Sequence, residues 1–130
     1  MVEYRSASEA DLDAVRAFLA ENGWGKRVAD FECFRMMIRN ADRTVVAFDG
    51  GRIVGFARAL CDDASNGYIG TVAVAQEMRG QGIGSMMVNR LMGNDPRITW
   101  VLRAGRGSEG FWKKMGFTRS EVAMERIRID

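Results

Sequence analysis

Between Val72 and Ser85 an apolar run, Val72-Ala73-Val74, passes through the turn Arg79-Gly80-Gln81-Gly82 into a helix-patterned stretch. No other segment limits the fold as strongly. A strand that feeds a helix through glycines belongs to an α/β layer arrangement. Glycines let the backbone approach a ligand closely, and the first turn of a helix leaves its N–H groups unpaired. Those groups and the helix dipole attract an anion, and phosphate is the anion such sites most often hold. Two well-known phosphate loops do not fit. No Gly-Lys-Ser/Thr follows the glycines, and Ser85 stands where a dinucleotide fingerprint needs its third glycine. The acidic ribose partner expected about 20 residues later is also poorly placed.

The flanking pattern completes the layout. Val2 to Arg5 reads as a short strand. Ser8 reads as the cap of a helix that buries Leu12, Val15, Phe18 and Leu19 on one face. Asn22-Gly23-Trp24-Gly25 ends it, and a second helix is expected from Ala29 to Arg39. Thr44 to Phe48 and Ile53 to Leu60 are strands joined by the hairpin turn Asp49-Gly50-Gly51-Arg52. A polar loop, Cys61 to Asn66, leads to a strand over Tyr68 to Val74. A helix over Gly84 to Leu91, a strand over Ile98 to Leu102, a short helix capped by Ser108 and ended by Gly116, and an alternating last strand over Val122 to Ile129 follow. The expected fold is α/β, a mixed central sheet flanked by helices in the order β-α-α-β-β-β-α-β-α-β. With no repeat and no linker, residues 1–130 read as one domain.

Composition narrows the chemistry. The chain contains no histidine, so a Ser-His-Asp triad, a Cys-His pair and a histidine zinc site are excluded. Cys33 and Cys61 are far apart and form no CxxC pair, so no metal is expected. A net charge of +2 is too mild for a nucleic-acid footprint. No run approaches the roughly 20 apolar residues that span a membrane. The opening Met1-Val2-Glu3-Tyr4-Arg5 lacks the layout of a secretory leader, so a cytoplasmic location is expected.

Two motifs then resemble one family. Arg79-x-x-Gly82-x-Gly84 matches the Arg/Gln-x-x-Gly-x-Gly/Ala signature of the GNAT superfamily of N-acetyltransferases, and Gly110-Phe111-Trp112-Lys113-Lys114-Met115-Gly116-Phe117 resembles its second signature. Arg5, Ala7 and Asp11 echo a common opening of the family, and Ile53-Val54-Gly55-Phe56-Ala57 is similar to its third strand. The resemblance implies a GNAT-like, largely antiparallel sheet and acetyl-CoA as co-substrate, with no metal. It implies that Arg79, Gly80, Gln81, Gly82, Ile83, Gly84 and Ser85 hold the pyrophosphate. Val72 and Val74, with Ala73 between them, would offer backbone groups to the pantetheine arm. Lys113 is a further candidate for the phosphates, against the plainer reading of a solvated helix lysine.

The reaction so implied is attack of an amine on a thioester. The Val74 N–H is the expected oxyanion donor by position. The family's tyrosine acid falls at Trp112, and indole cannot serve because its N–H hardly ionises. Tyr68 and Ser108 are the candidate acids, and unassisted departure of the thiolate is the alternative. Thr71 stands where many relatives carry a carboxylate or amide, so the base is sought in Asp62 and Asp63, which also read as plain solvated loop residues. A small-molecule amine is the expected acceptor, entering near Trp24. A catalytically weak CoA-binding module and an enzyme acting on a macromolecular amine remain as alternatives. The last strand ends the sheet, or a second copy completes it as a homodimer.

Overall fold

The computed structural model describes residues 1–129. Its strands are β1 (Val2–Arg5), β2 (Arg43–Asp49), β3 (Arg52–Cys61), β4 (Asn66–Val74) and β5 (Thr99–Leu102). Its helices are α1 (Leu12–Leu19), α2 (Phe31–Arg39), α3 (Ile83–Met92) and α4 (Glu109–Lys114). The sheet runs β1-β2-β3-β4-β5 in sequence order. Its first four strands pair antiparallel, and β5 lies parallel to β4 after the α3 crossover. The α/β class and the mixed, largely antiparallel sheet are as expected.

Local chemistry accounts for the joints. The β2–β3 hairpin turns on two residues, Gly50 (φ +58°) and Gly51 (φ +82°), a left-handed pair that side chains rarely adopt. Asp30 caps α2 by accepting from the Cys33 N–H at 3.1 Å, so that helix begins at Phe31 and not at Ala29. At the first helix the Asp11 carboxylate accepts the Ser8 N–H at 2.7 Å and both Arg5 terminal nitrogens at 2.7 and 2.9 Å. That pair ties β1 to α1, and it holds the Asp11 carboxyl down at about 2, the Arg5 guanidinium being the largest cause.

The core occupies both faces of the sheet. Val15, Phe18, Phe34 and Phe56 are buried with α1 and α2, and Met87, Val88 and Leu91 bring α3 onto the sheet. Gly55 is small because the Met87 thioether rests on it: a Cβ there would come within 2.9 Å of Met87 Cε. Burying a side chain such as Met87 contributes about 2 kcal/mol.

One element differs from expectation. Val122 to Ile129 forms no strand, and Val122 and Met124 are 88% and 95% exposed. A strand needs a ladder partner, and the segment lies along none. Among its bonds is an ion pair between Arg103 and Glu125 at 2.5 Å. The outer edge of β5 is left without a neighbour in the sheet, with Thr99 and Val101 exposed. No helix among the described residues is long and apolar enough to cross a membrane.

Candidate active site

The site begins where β4 and β5 part. The two strands pair from Asn66↔Thr99 to Ile69↔Leu102, whereas β4 continues to Val74. The cause lies in β4: Arg58 pairs with Thr71 and Ala59 with Ile69, so Gly70 is an extra, bulged residue. A bulge bends its strand and increases the local twist. From Gly70 onward β4 has β3 on one side and a fork on the other. The Ala75 N–H donates to Val54 O at 2.8 Å, which fixes the alternation of the ladder. The backbone groups of Ala73 therefore turn toward β3, and those of Val72 and Val74 turn into the fork. The Val74 carbonyl takes a long contact from Arg79 Nε at 3.4 Å, and its N–H points into the fork with it.

The fork opens onto the start of α3. Gly80 (φ +80°) and Gly82 (φ +84°) are both left-handed, and a Cβ on either would meet nothing within 4 Å. Gly82 caps α3 with no side chain bonded to the first-turn N–H groups. Ile83 is buried and anchors the turn, while Arg79, Gly80 and Gln81 are exposed. Gly84 lets α4 approach: a Cβ there would stand 3.3 Å from the Phe111 ring and 3.6 Å from Val74 Cγ2. Free strand amides, a glycine turn and an uncapped helix start in one line fit a ligand with amide groups and a phosphate end. Two open depressions of about 580 and 630 Å³ lie elsewhere, against β2 and against α1, and neither includes residues of the 79–85 loop. The backbone geometry therefore marks the site, and cavity volume does not.

On the sheet face shared with Arg58, the fork is lined by Tyr68, Gly70 and Thr71. The Arg58 Nε donates to Thr71 Oγ1 at 3.0 Å, which satisfies the hydroxyl of a residue only 4% exposed. The guanidinium lies flat over Gly70, where a Cβ would come within 2.8–2.9 Å of Cζ and both terminal nitrogens. Burial pushes Arg58 below the usual arginine value; Tyr68 opposes that shift and Arg128 adds to it. Sequence reading passed over Arg58, and only its place opposite Thr71 in the strand register could have flagged it. The Tyr68 hydroxyl has no hydrogen bond among the described residues.

Other expected residues lie outside the fork or are already engaged. Asp62 and Asp63 stand at the start of β4, so nine strand residues put them roughly 25 Å from Val74. Asp62 accepts from Ser65 Oγ, Ser65 N, Ala64 N and Asn66 N at 2.6–3.0 Å, which holds its carboxyl far below the usual range. It staples its own loop, and Asp63 is ion-paired with Arg43 at 2.8 Å. Both expected bases, in the loop before β4, are thus engaged by protein groups. The Ser108 hydroxyl does not cap α4; it donates to Gly105 O at 2.7 Å. Lys113 is exposed on α4 and pairs with Glu109 at 3.5 Å. Trp112 is 8% exposed, edge-on to Phe111 and Phe117. Its burial follows from the helix end. Phe117 N bonds to Trp112 O, Gly116 N bonds to Lys113 O, and Gly116 is left-handed, so the two aromatics form the apolar contact of a Schellman cap. Trp24 is half-buried against the core.

Comparisons with known proteins bear on the fold and the family. The family model for the acetyltransferase (GNAT) domain matches residues 40–119, more than half of the chain. No curated protein sequence matches it. Among solved structures, a GNAT family acetyltransferase from Streptococcus pneumoniae superposes with a TM-score of 0.79 at 21% identity, over 100% of this chain and 98% of that one. A ribosomal-protein-alanine N-acetyltransferase from Brucella melitensis gives 0.73 at 21% identity, over 99% and 100%. An aminoglycoside N-acetyltransferase in complex with CoA gives 0.75 at 16% identity, over 99% and 96%. Such identities establish the fold, and one fold serves acceptors this different. With the family model covering both signatures, the chain belongs to the GNAT family of acetyltransferases, whose co-substrate is acetyl-CoA.

Proposed function

We propose that the chain transfers an acetyl group from acetyl-CoA to a primary amine by direct attack in a ternary complex. The observation that carries this reading is the fork, with Val72 and Val74 facing into it and the uncapped α3 start at its end. Residues 79–85 would hold the pyrophosphate through backbone N–H groups. The pantetheine arm would run back along β4 toward Gly70. On that path Val72 lies nearer the thioester and Val74 nearer the pyrophosphate, so the Val72 N–H would polarise the carbonyl and the Val74 N–H, the donor expected from the sequence, would pair with an arm amide. The amine nitrogen bonds to the acyl carbon, the C–S bond breaks, and sulfur leaves as the thiolate and takes up a proton. Tyr68 is the proton donor we favour, because its hydroxyl has no hydrogen bond among the described residues and that of Ser108 is engaged. The amine proton passes to water, and positioning supplies most of the rate.

The chain acts as one domain over residues 1–130, in the cytoplasm, without nucleic acid, membrane or metal. The open β5 edge and the exposed Val122 and Met124 support a homodimer in which the tail of one copy extends the sheet of the other. Light scattering at about twice 14.5 kDa is the expected result.

The test is release of CoA thiol from acetyl-CoA against a panel of amines, with thermal shift in parallel. Amine-dependent release is expected. Stabilisation by acetyl-CoA without release from any small amine would favour the CoA-binding module or a macromolecular acceptor. No stabilisation would remove the cofactor assignment.

A further inference from the structure

Building on the transfer reading, we infer that Arg58 is the recognition group for a carboxylate on the acceptor, so that the substrate is an amine of the amino-acid class. Arg58 is the charged side chain placed at the apex of the fork, lying flat on Gly70 where β4 leaves β5. Its Nε is taken by Thr71, and both terminal nitrogens are without a protein acceptor among the described residues. No carboxylate of the described residues pairs with it. The groups that act on its charge are the Tyr68 phenol and a second cation, Arg128. Glu125 of the tail is engaged by Arg103.

A partly buried guanidinium without a counter-ion is unfavourable in the free protein, and an incoming carboxylate removes that penalty. The terminal nitrogens present two parallel N–H donors in one plane, the geometry that matches a carboxylate in bidentate fashion. Stacking on Gly70 and the bond to Thr71 fix the direction of that plane, so the group is held before the ligand arrives. The surrounding side chains on this face, Tyr68 and the 40% exposed Leu60, add apolar surface for the rest of the acceptor. A bare amine gains nothing from this corner and is repelled by its charge.

The experiment uses the wild-type protein first. CoA release is measured with amino acids and with the matching amino-acid amides, which keep the amine and lose the charge. In parallel, the Arg58 Nε–H resonance of the 15N-labelled protein is followed as N-acetyl amino acids and N-acetyl amino-acid amides are added. The acids are expected to be used at least ~30-fold better in kcat/KM, and only the acetylated acids should shift the resonance. In R58M the KM for the acids should rise by about 100-fold with kcat little changed, and R58K, which keeps the charge without the planar fork, should lie between. G70A, which leaves Arg58 in the chain but displaces its guanidinium, should reproduce much of the KM effect. Equal use of acids and amides, or a resonance shifted equally by both, would overturn the inference while leaving acetyl transfer intact. No CoA release from any amine, with the resonance still saturated by the acetylated acids alone, would sink the transfer reading and uphold the carboxylate site. No shift with any carboxylate would end the proposal whatever the turnover.

Discussion

At the β1–α1 corner Arg5 meets a carboxylate, Asp11, and at the β4–β5 fork Arg58 has the Thr71 hydroxyl as its hydrogen-bond acceptor among the described residues. At the corner, the Asp11 carboxylate also takes the Ser8 N–H and closes the helix start. At the fork, the start of α3 has no side-chain cap, and two strand residues turn their backbone groups into open space. Both places are charged and both are partly buried. One is complete within the protein, whereas the other leaves donors that only a ligand can use. The first arrangement holds a fold together, and the second is what a binding site requires. The predictions below alter one side of this contrast and ask whether the other responds.

The largest effect is expected at the α3 loop. G82V places a branched side chain where the phosphates would lie, and acetyl-CoA Kd should rise by at least ~100-fold in calorimetry. Gly82 is left-handed, so backbone strain of roughly 1–3 kcal/mol also enters. The matched control is G50V in the β2–β3 turn, which carries the same kind of strain, again with nothing within 4 Å of the new Cβ. It should lower Tm comparably and leave Kd unchanged. Equal losses of affinity in the two variants would mean that the loop acts through stability alone.

The corner comes next. D11A removes an ion pair and a helix cap together and should cost about 2 kcal/mol, or roughly 8 °C in Tm. Acetyl-CoA affinity should not change. The same pair sets an acid limit. The Asp11 carboxyl is lowered in the folded chain from 3.8 to about 2, so its contribution is fully present above about pH 4 and is lost as pH falls toward 2. The stability difference between wild type and D11A should therefore shrink over that window, measured by urea unfolding at each pH. A difference that stays constant to pH 2 would show that the carboxylate's charge is not what the corner uses.

These two regions were unequally legible in the sequence. Both glycine turns could be read, because left-handed backbone needs glycine and that requirement is local. Gly50-Gly51 and Gly80-Gln81-Gly82 fell where expected for that reason. The helix start at Ser8 and the core stripe of α1 are local in the same sense, although the capping group there is the Asp11 carboxylate and not the Ser8 hydroxyl, which donates to it. Arg58 was not legible, since its significance depends on a bulge at Gly70 and on the residue opposite it, a pairing across 13 positions. What Trp112 does instead of acid chemistry was not legible for a related reason. Its motif position excluded the acid role for an indole, and the Schellman cap turns that indole into the core against Phe117. The expected last strand failed because alternation specifies which faces a strand would have but cannot supply a partner for its ladder. Asp62 and Asp63 looked near the chemistry along the chain, and an extended strand placed them at its far end.

A smaller effect separates the two candidate acids. Y68F should reduce kcat about 10-fold without changing acetyl-CoA affinity, in line with the loss of a single proton donor. S108A should reduce it less than ~2-fold, because the Ser108 hydroxyl already donates to Gly105 at 2.7 Å and serves the turn before α4. That lost bond should appear instead as about 1 kcal/mol of stability. The pair is informative because the two hydroxyls differ in the same way as the corner and the fork: one is engaged by the protein and the other has no partner among the described residues. If S108A slows turnover 10-fold and Y68F does not, an engaged hydroxyl has done the chemistry, and being without a protein partner ceases to be a guide to function in this molecule. If neither does, the thiolate departs unassisted, and the fork contributes by holding the amine and the thioester together.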